Sequence, residues 1–444
     1  MKRFVFYSLL LLLTGVLMAE KQDQGFFPYN YEIYKLENGF TTYLIPVEGS
    51  GLVAYYSIVR TGSRDEWEQG RSGFAHFFEH MMFRGTEKYP GSVYDSLVTT
   101  IGADANAYTT DDLTAYHMVF PSEYLEKVMD LESDRFQNLS YKEDEFKTEA
   151  GAVYGEYRKG RVNPYSVLLE ELQNTAFDKH TYKHTTIGFE EDIKNMPNLY
   201  DYSLSFFKRY YRPENVVLVM AGDFKPEKAK SLIKKYYKDW QPGYVKPQIT
   251  PEPPQKEERV KEVSYAGKTL PIVWVAYKGD AFDPNSKMIA ASDLLSDLAF
   301  GQNSALYKKL VLDEQKVQYV ESWFPYTRDP KLLSIYSMVK DEADIPYVRE
   351  QMDETIAHFK DTPVDPKKLE DVKKRLRYSF LMNLDTPDHI AGNLARMVAL
   401  TGGIESVDQI YKQIDSITPE DIQAAAKHFF NKNQRTVIVL KGEA

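Results

Sequence analysis

The chain has 444 residues, more than one hydrophobic core usually supports, so two or more domains are expected. Its 43% apolar and 14% aromatic content excludes a disordered or collagen-like chain, and the absence of cysteine removes disulfide scaffolds, thiolate metal sites and thiol catalysis. A net charge of −10 without any basic block argues against a nucleic-acid partner.

At the amino terminus, Lys2 and Arg3 precede an apolar run from Phe4 to Ala19. A charged start followed by a short apolar stretch reads as a secretory signal, and the run is shorter than the roughly 20 residues a membrane-spanning helix needs. Ala19 suits the last position before cleavage, while Leu17 is bulkier than the small residue preferred there. Residues 1–19 are therefore assigned as a signal peptide of an exported, periplasmic or extracellular protein; retention as an uncleaved anchor is the alternative.

The stretch TTYLIPVEGSGLVAYYSIVRTG follows and holds two candidate strands separated by the turn cluster Glu48, Gly49, Ser50 and Gly51. Next comes GFAHFFEHMMF, free of Gly and Pro after Gly73 and expected to be helical. Residues four apart share a helix face, so His76 and His80 can reach one ion, and Glu79 flanks that face. Two imidazoles, an open coordination position and a carboxylate that takes a proton from water are what metal-assisted hydrolysis requires. The order H-x-x-E-H is the inverted form of the H-E-x-x-H zinc motif. Met81, Met82 and Phe83 read as core packing.

Further along, Phe146, Ala150, Val153 and Tyr157 repeat at helical period in FKTEAGAVYGEYRK. Glu149 and Glu156 border that stripe, where a carboxylate is costly to bury unless paired or bound to a cation. Spacing does not decide whether either is a ligand. His180 and His184 repeat the four-residue spacing, but the threonines around them argue against a helix and no carboxylate completes a site, so they read as loop residues.

The proline-rich stretch 241–255, QPGYVKPQITPEPPQ, prohibits helix and reads as a linker between a domain at 27–240 and another at 256–444. The two parts share an order of elements. YYRPENVVLVMAGDF from Tyr210 and HFFNKNQRTVIVLKG from His428 both read as helix end, turn and strand, and each follows a matching helical stretch, from Tyr141 and from Asp365. Sequential strands and clustered helices give an α+β fold of two duplicated domains, each a mainly antiparallel sheet with helices packed on one face.

As a set, several motifs resemble the inverted-motif zinc peptidases: pitrilysin, insulin-degrading enzyme and the mitochondrial processing peptidases. They are Gly62-Ser63-Arg64 with Glu66, Gly73, His76 to His80, Met82-Phe83-Arg84-Gly85-Thr86, Asn106-Ala107-Tyr108-Thr109, the Glu149 and Glu156 helix, His180-Thr181-Tyr182 with Ile187-Gly188, and RPENVVLVMAGDF. The length is that of the two-domain, processing-peptidase-like members, and the likeness is strong only in the first half.

This resemblance implies a zinc-dependent endopeptidase acting on peptides or unfolded polypeptide segments. It implies one Zn2+ per chain on His76, His80 and Glu156, with Glu79 as general base and Glu149 as the supporting acid. The 75 residues between His80 and Glu156 match the family's gap. Asn106, Ala107 and Tyr108 match an edge strand that pairs with extended substrate, an ordinary interior strand being the alternative. Tyr319 matches a substrate-contacting tyrosine of the second half, which carries no metal, but Leu312 and Ala305 stand where relatives have arginine. Some relatives work as pairs of subunits, one bearing the metal and the other the clamp. The departure therefore points to a dimer, and specifically to a heterodimer with a related metal-free subunit. A non-catalytic peptide-binding subunit is the alternative function, and the intact Glu79 speaks against it.

Overall fold

The computed structural model describes residues 25–443, so the expected signal peptide lies outside the described residues. Among these, no helix is long and apolar enough to cross a membrane. Strands β1 (Glu32–Lys35), β2 (Thr41–Pro46), β3 (Leu52–Val59), β4 (Asp104–Thr109), β5 (Thr114–Pro121) and β6 (Val216–Gly222) form one sheet, in the order β1-β2-β6-β3-β5-β4. Strands β7 (Arg259–Tyr265), β8 (Ile272–Lys278), β9 (Val317–Trp323), β10 (Leu332–Val339) and β11 (Arg435–Gly442) form a second, in the order β7-β11-β8-β10-β9.

Setting β1 aside, the two orders coincide strand for strand. In each, the last strand inserts between the first two and runs parallel to the first, every other pairing is antiparallel, and the third strand lies on an edge. The repeat of elements along the chain is thus a repeat of topology.

Central strand β6 (VVLVMAG) is buried along its whole length, whereas edge strand β4 has no buried residue. A strand that is apolar at every position needs cover on both faces, and the second cover comes from the opposite half. Helix Pro387–Thr401 lays Ile390, Leu394 and Val398 on the first sheet, against Tyr56, Ile58 and Val219. Helix Pro164–Ala176 lays Leu168 and Leu172 on the second, against Trp274, Ala276 and Leu440. Both helices start alike, with Asn163 or Thr386 accepting a backbone N–H and proline in the first turn. Most other helices of each half pack on the sheet's other face, as the helical stripes lead one to expect; the crossed pair is an addition that periodicity does not announce.

The crossing is locked at the end of helix Pro387–Thr401, where unpaired carbonyls gather partial negative charge. Arg60 Nε donates to Ala399 O at 3.0 Å, and Arg328 Nη2 donates to the same oxygen at 2.9 Å and to Arg60 O at 2.8 Å. Residues 241–255 carry neither helix nor strand.

Candidate metal centre

The HFFEH segment lies on helix Phe74–Met81. Its start depends on Gly73, which has φ +93° and would bring a Cβ within 2.6 Å of Ile187 O. Glycine offers no capping side chain, so Glu66 takes that role, accepting from Gly73 N at 2.7 Å and Ala75 N at 2.6 Å. Phe74, Ala75, Phe77, Phe78 and Met81 are buried, which leaves His76, Glu79 and His80 on the open side. Opposite runs helix Glu143–Gly160, anchored by its buried stripe of Phe146, Ala150, Val153 and Tyr157.

Nε2 of His76 and Nε2 of His80 lie 3.7 and 3.5 Å from Glu156 Oε2. One donor atom from each of the three residues falls within 4.8 Å of the others, the one such group of potential metal ligands among the described residues. Ligands about 2.0–2.1 Å from a tetrahedral zinc are about 3.4 Å apart, so this donor set fits a zinc ion.

Glu149 points elsewhere. Its Oε1 lies 2.8 Å from His80 Nδ1, and its other oxygen accepts from Arg84. A proton on Nδ1 leaves the Nε2 lone pair facing the cluster. Spacing left the two glutamates equivalent; the fold separates them, with Glu149 buried behind His80 and Glu156 exposed on the cluster side. His76 Nδ1 is buried and has no hydrogen-bond partner among the described residues.

Burial, reinforced by the neighbouring His80, pushes His76 down to about 4, so its imidazole is neutral at pH 7. The bond to Glu149 raises His80. Burial raises Glu79 against the lowering effect of Thr109 and His80. Burial also works to raise Glu149, but its bonds to His80 and Arg84 outweigh that and leave it lowered.

Glu79 Oε2 accepts from Thr109 Oγ1 at 2.7 Å. Thr109 ends β4, the strand that also carries Asn106, Ala107 and Tyr108 and that, among the described residues, pairs with β5 alone. Asn106 Oδ1 accepts from Ala107 N at 2.8 Å. Tyr319 is on β9, the edge strand of the other sheet, its ring edge-on to Tyr336 and its hydroxyl buried without a hydrogen-bond partner among the described residues. Leu312 is 56% exposed. His180 and His184 lie outside any α-helix, as their surroundings in sequence suggest, yet both are buried: His180 Nε2 is 3.0 Å from Asp329, and His184 Nε2 is 3.8 Å from Glu66. Arg84, Thr109 and the capping role of Glu66 escape a reading by spacing. Arg84 alone leaves a local signal, one helical turn beyond His80.

A model described as Insulinase (Peptidase family M16) matches residues 53–189, which include the HFFEH helix, Glu149 and Glu156; one described as Peptidase M16 inactive domain matches 199–376. The chain belongs to the M16 peptidase family. This M16 chain is 28% identical to zinc protease PqqE of Helicobacter pylori, over 99% of its own length and 98% of that protein's. It is 25% identical to the mitochondrial-processing peptidase subunit beta of Bos taurus, over 91% of this chain and 83% of that one. A solved protease structure from Helicobacter pylori, 26% identical, superposes with a TM-score of 0.87 and covers 93% of the M16 chain and 99% of its own.

Proposed function

We propose that this M16 chain is a zinc-dependent endopeptidase that hydrolyses peptides or unfolded polypeptide segments. His76, His80 and Glu156 hold one zinc ion, Glu149 orients His80, and Glu79 is the general base. The observation that carries the reading is the convergence of two Nε2 atoms and Glu156 Oε2 at 3.5–3.7 Å beside Glu79. Zinc, when bound, supplies a Lewis acid that acidifies water and polarises the scissile carbonyl. The Glu79 carboxylate takes the proton of the attacking water and returns it to the leaving amine. Extended substrate adds to the free side of β4 at Asn106, Ala107 and Tyr108, where main-chain pairing binds chains with little regard to sequence. The Ala107 N–H, which now bonds the Asn106 side chain, is one donor for it.

The division into domains at 27–240 and 256–444 belongs to this reading, as does export, which rests on Lys2, Arg3 and the apolar run behind them. Exposed Leu312, in place of a clamp arginine, supports a dimer in which a related metal-free subunit completes the substrate grip.

Glu79→Gln keeps the shape of the side chain and removes the base. The variant should retain one zinc per chain while turnover of a quenched-peptide library falls by about 10²–10⁴-fold. Undiminished turnover overturns the assignment. The same assay on the unmodified chain alone tests the partner, because full turnover without a second subunit refutes the heterodimer.

A further inference from the structure

One hydroxyl joins the open edge of the first sheet to the HFFEH helix: Thr109 Oγ1, 2.7 Å from Glu79 Oε2. We infer that Thr109 is a positioning residue that holds the Glu79 carboxylate at a fixed distance from a peptide paired along β4. The inference rests on the reading of Glu79 as the base.

Among the described residues Thr109 Oγ1 is the one side-chain donor to Glu79, and the Thr109 backbone N–H reinforces it. A glutamate side chain has three rotatable bonds, and restricting such a chain costs conformational entropy. A hydroxyl donating to a carboxylate is among the stronger hydrogen bonds and offsets part of that cost. The donor is itself well fixed. Thr109 is the last paired residue of β4, opposite Thr114, whose Oγ1 donates to Thr61 O at 3.0 Å.

The turn beyond Thr109 is pinned to the same segment, with Arg64 N donating to Asp111 O at 2.8 Å and Ser63 N to Thr110 O at 3.2 Å. A Cβ on Gly62 would lie 2.3 Å from Thr110 O, so this approach needs glycine. Two residues beyond Arg64, Glu66 caps the HFFEH helix. Both ends of the Thr109–Glu79 bond therefore hang from residues 61–66, and strand and base keep their spacing. The side chains of Ala105 and Ala107 pack towards the core under that helix, and strand alternation puts Thr109 on the same face. One residue thus serves the substrate-pairing strand with its main chain and the base with its side chain. Misplacement by about 1 Å at such a point can cost about 10²-fold in rate.

Thr109→Val preserves β-branching and fit to the strand while deleting the donor. The variant should keep zinc content and melting temperature, and its KM for a quenched peptide should stay within about twofold. Its kcat should fall by about 10–100-fold. Thr109→Ser, which restores the donor, should return kcat to within about threefold of the unmodified enzyme. Adding Thr109→Val to Glu79→Gln should cost nothing further, since the residue acts through Glu79. A Thr109→Val enzyme with kcat within twofold of normal overturns the inference. So does a loss that tracks zinc content, KM or melting temperature, or one that serine fails to restore. Undiminished turnover by Glu79→Gln alone overturns the base assignment first, and this inference with it.

Discussion

In the first half, the helix after β3 turns His76, Glu79 and His80 towards Glu149 and Glu156 of helix Glu143–Gly160. In the second, the helix in the same topological place, Lys287–Phe300 after β8, carries Asp293 and Asp297 instead. Tyr326 donates its hydroxyl to Asp293, and Arg375 of helix Pro366–Met382 pairs with Asp297. A carboxylate facing a guanidinium is complete in itself, and no lone pairs converge on a common point. Two imidazoles facing carboxylates each keep a nitrogen to share. The shared fold supplies equivalent positions; among the described residues only those of the first half bring three potential ligand atoms within 4.8 Å of one another.

The comparison breaks most sharply by taking away one of the three. Glu156→Gln should bring the first half to the condition of the second, losing zinc on dialysis and all turnover with it. Glu149→Gln leaves the three donors in place and loosens only the orientation of His80, so zinc affinity should fall by about 10–100-fold. Metal analysis of the two variants after identical dialysis checks the order, and the reverse order overturns the roles given to these glutamates.

The same contrast shows what the sequence discloses. HFFEH was legible because its chemistry lies within one turn of helix and its buried partners, Phe77, Phe78 and Met81, repeat at helical period. The duplication was legible because corresponding elements succeed one another in the same order. Spacing alone made Glu149 and Glu156 legible only as a pair, since both border one stripe; the resemblance, through its gap after His80, is what singles out Glu156. The contact between Thr109 and Glu79 joins different elements and leaves no periodic trace. The crossed helices were hidden for a related reason: the stripe of Ile390, Leu394 and Val398 declares an amphipathic helix without saying whose sheet it covers.

That crossing sets a limit on how far the halves are separate. Leu394→Ala opens a cavity over the first sheet from a residue of the second half, and Leu168→Ala does the reverse. Each should cost about 2–5 kcal/mol. Because each core is closed by the other half, denaturant unfolding should remain one transition, with fluorescence and far-UV signals coincident in both variants. Two separated transitions, one per half, would show that the sheets stand without their borrowed helices.

A smaller effect sharpens the same point at the seam. Asp329 belongs to the second half and accepts from two residues of the first, Arg64 Nε at 2.5 Å and His180 Nε2 at 3.0 Å. Burial works to raise its carboxyl, but the bonds to His180 and Arg64 prevail and hold it well below the usual carboxylate range. A carboxyl that is more acidic in the folded protein contributes its full stability above the unfolded value of about 3.9, and loses it as pH falls through the folded value. Asp329→Asn should therefore destabilise by about 1–3 kcal/mol near pH 7. The deficit in melting temperature against the unmodified protein should narrow steadily between about pH 5 and pH 3, as the native carboxylate gives up its advantage. A deficit that stays constant across that range would mean that the seam is held by shape and neutral hydrogen bonds. The charge on Asp329 would then contribute nothing to joining the halves.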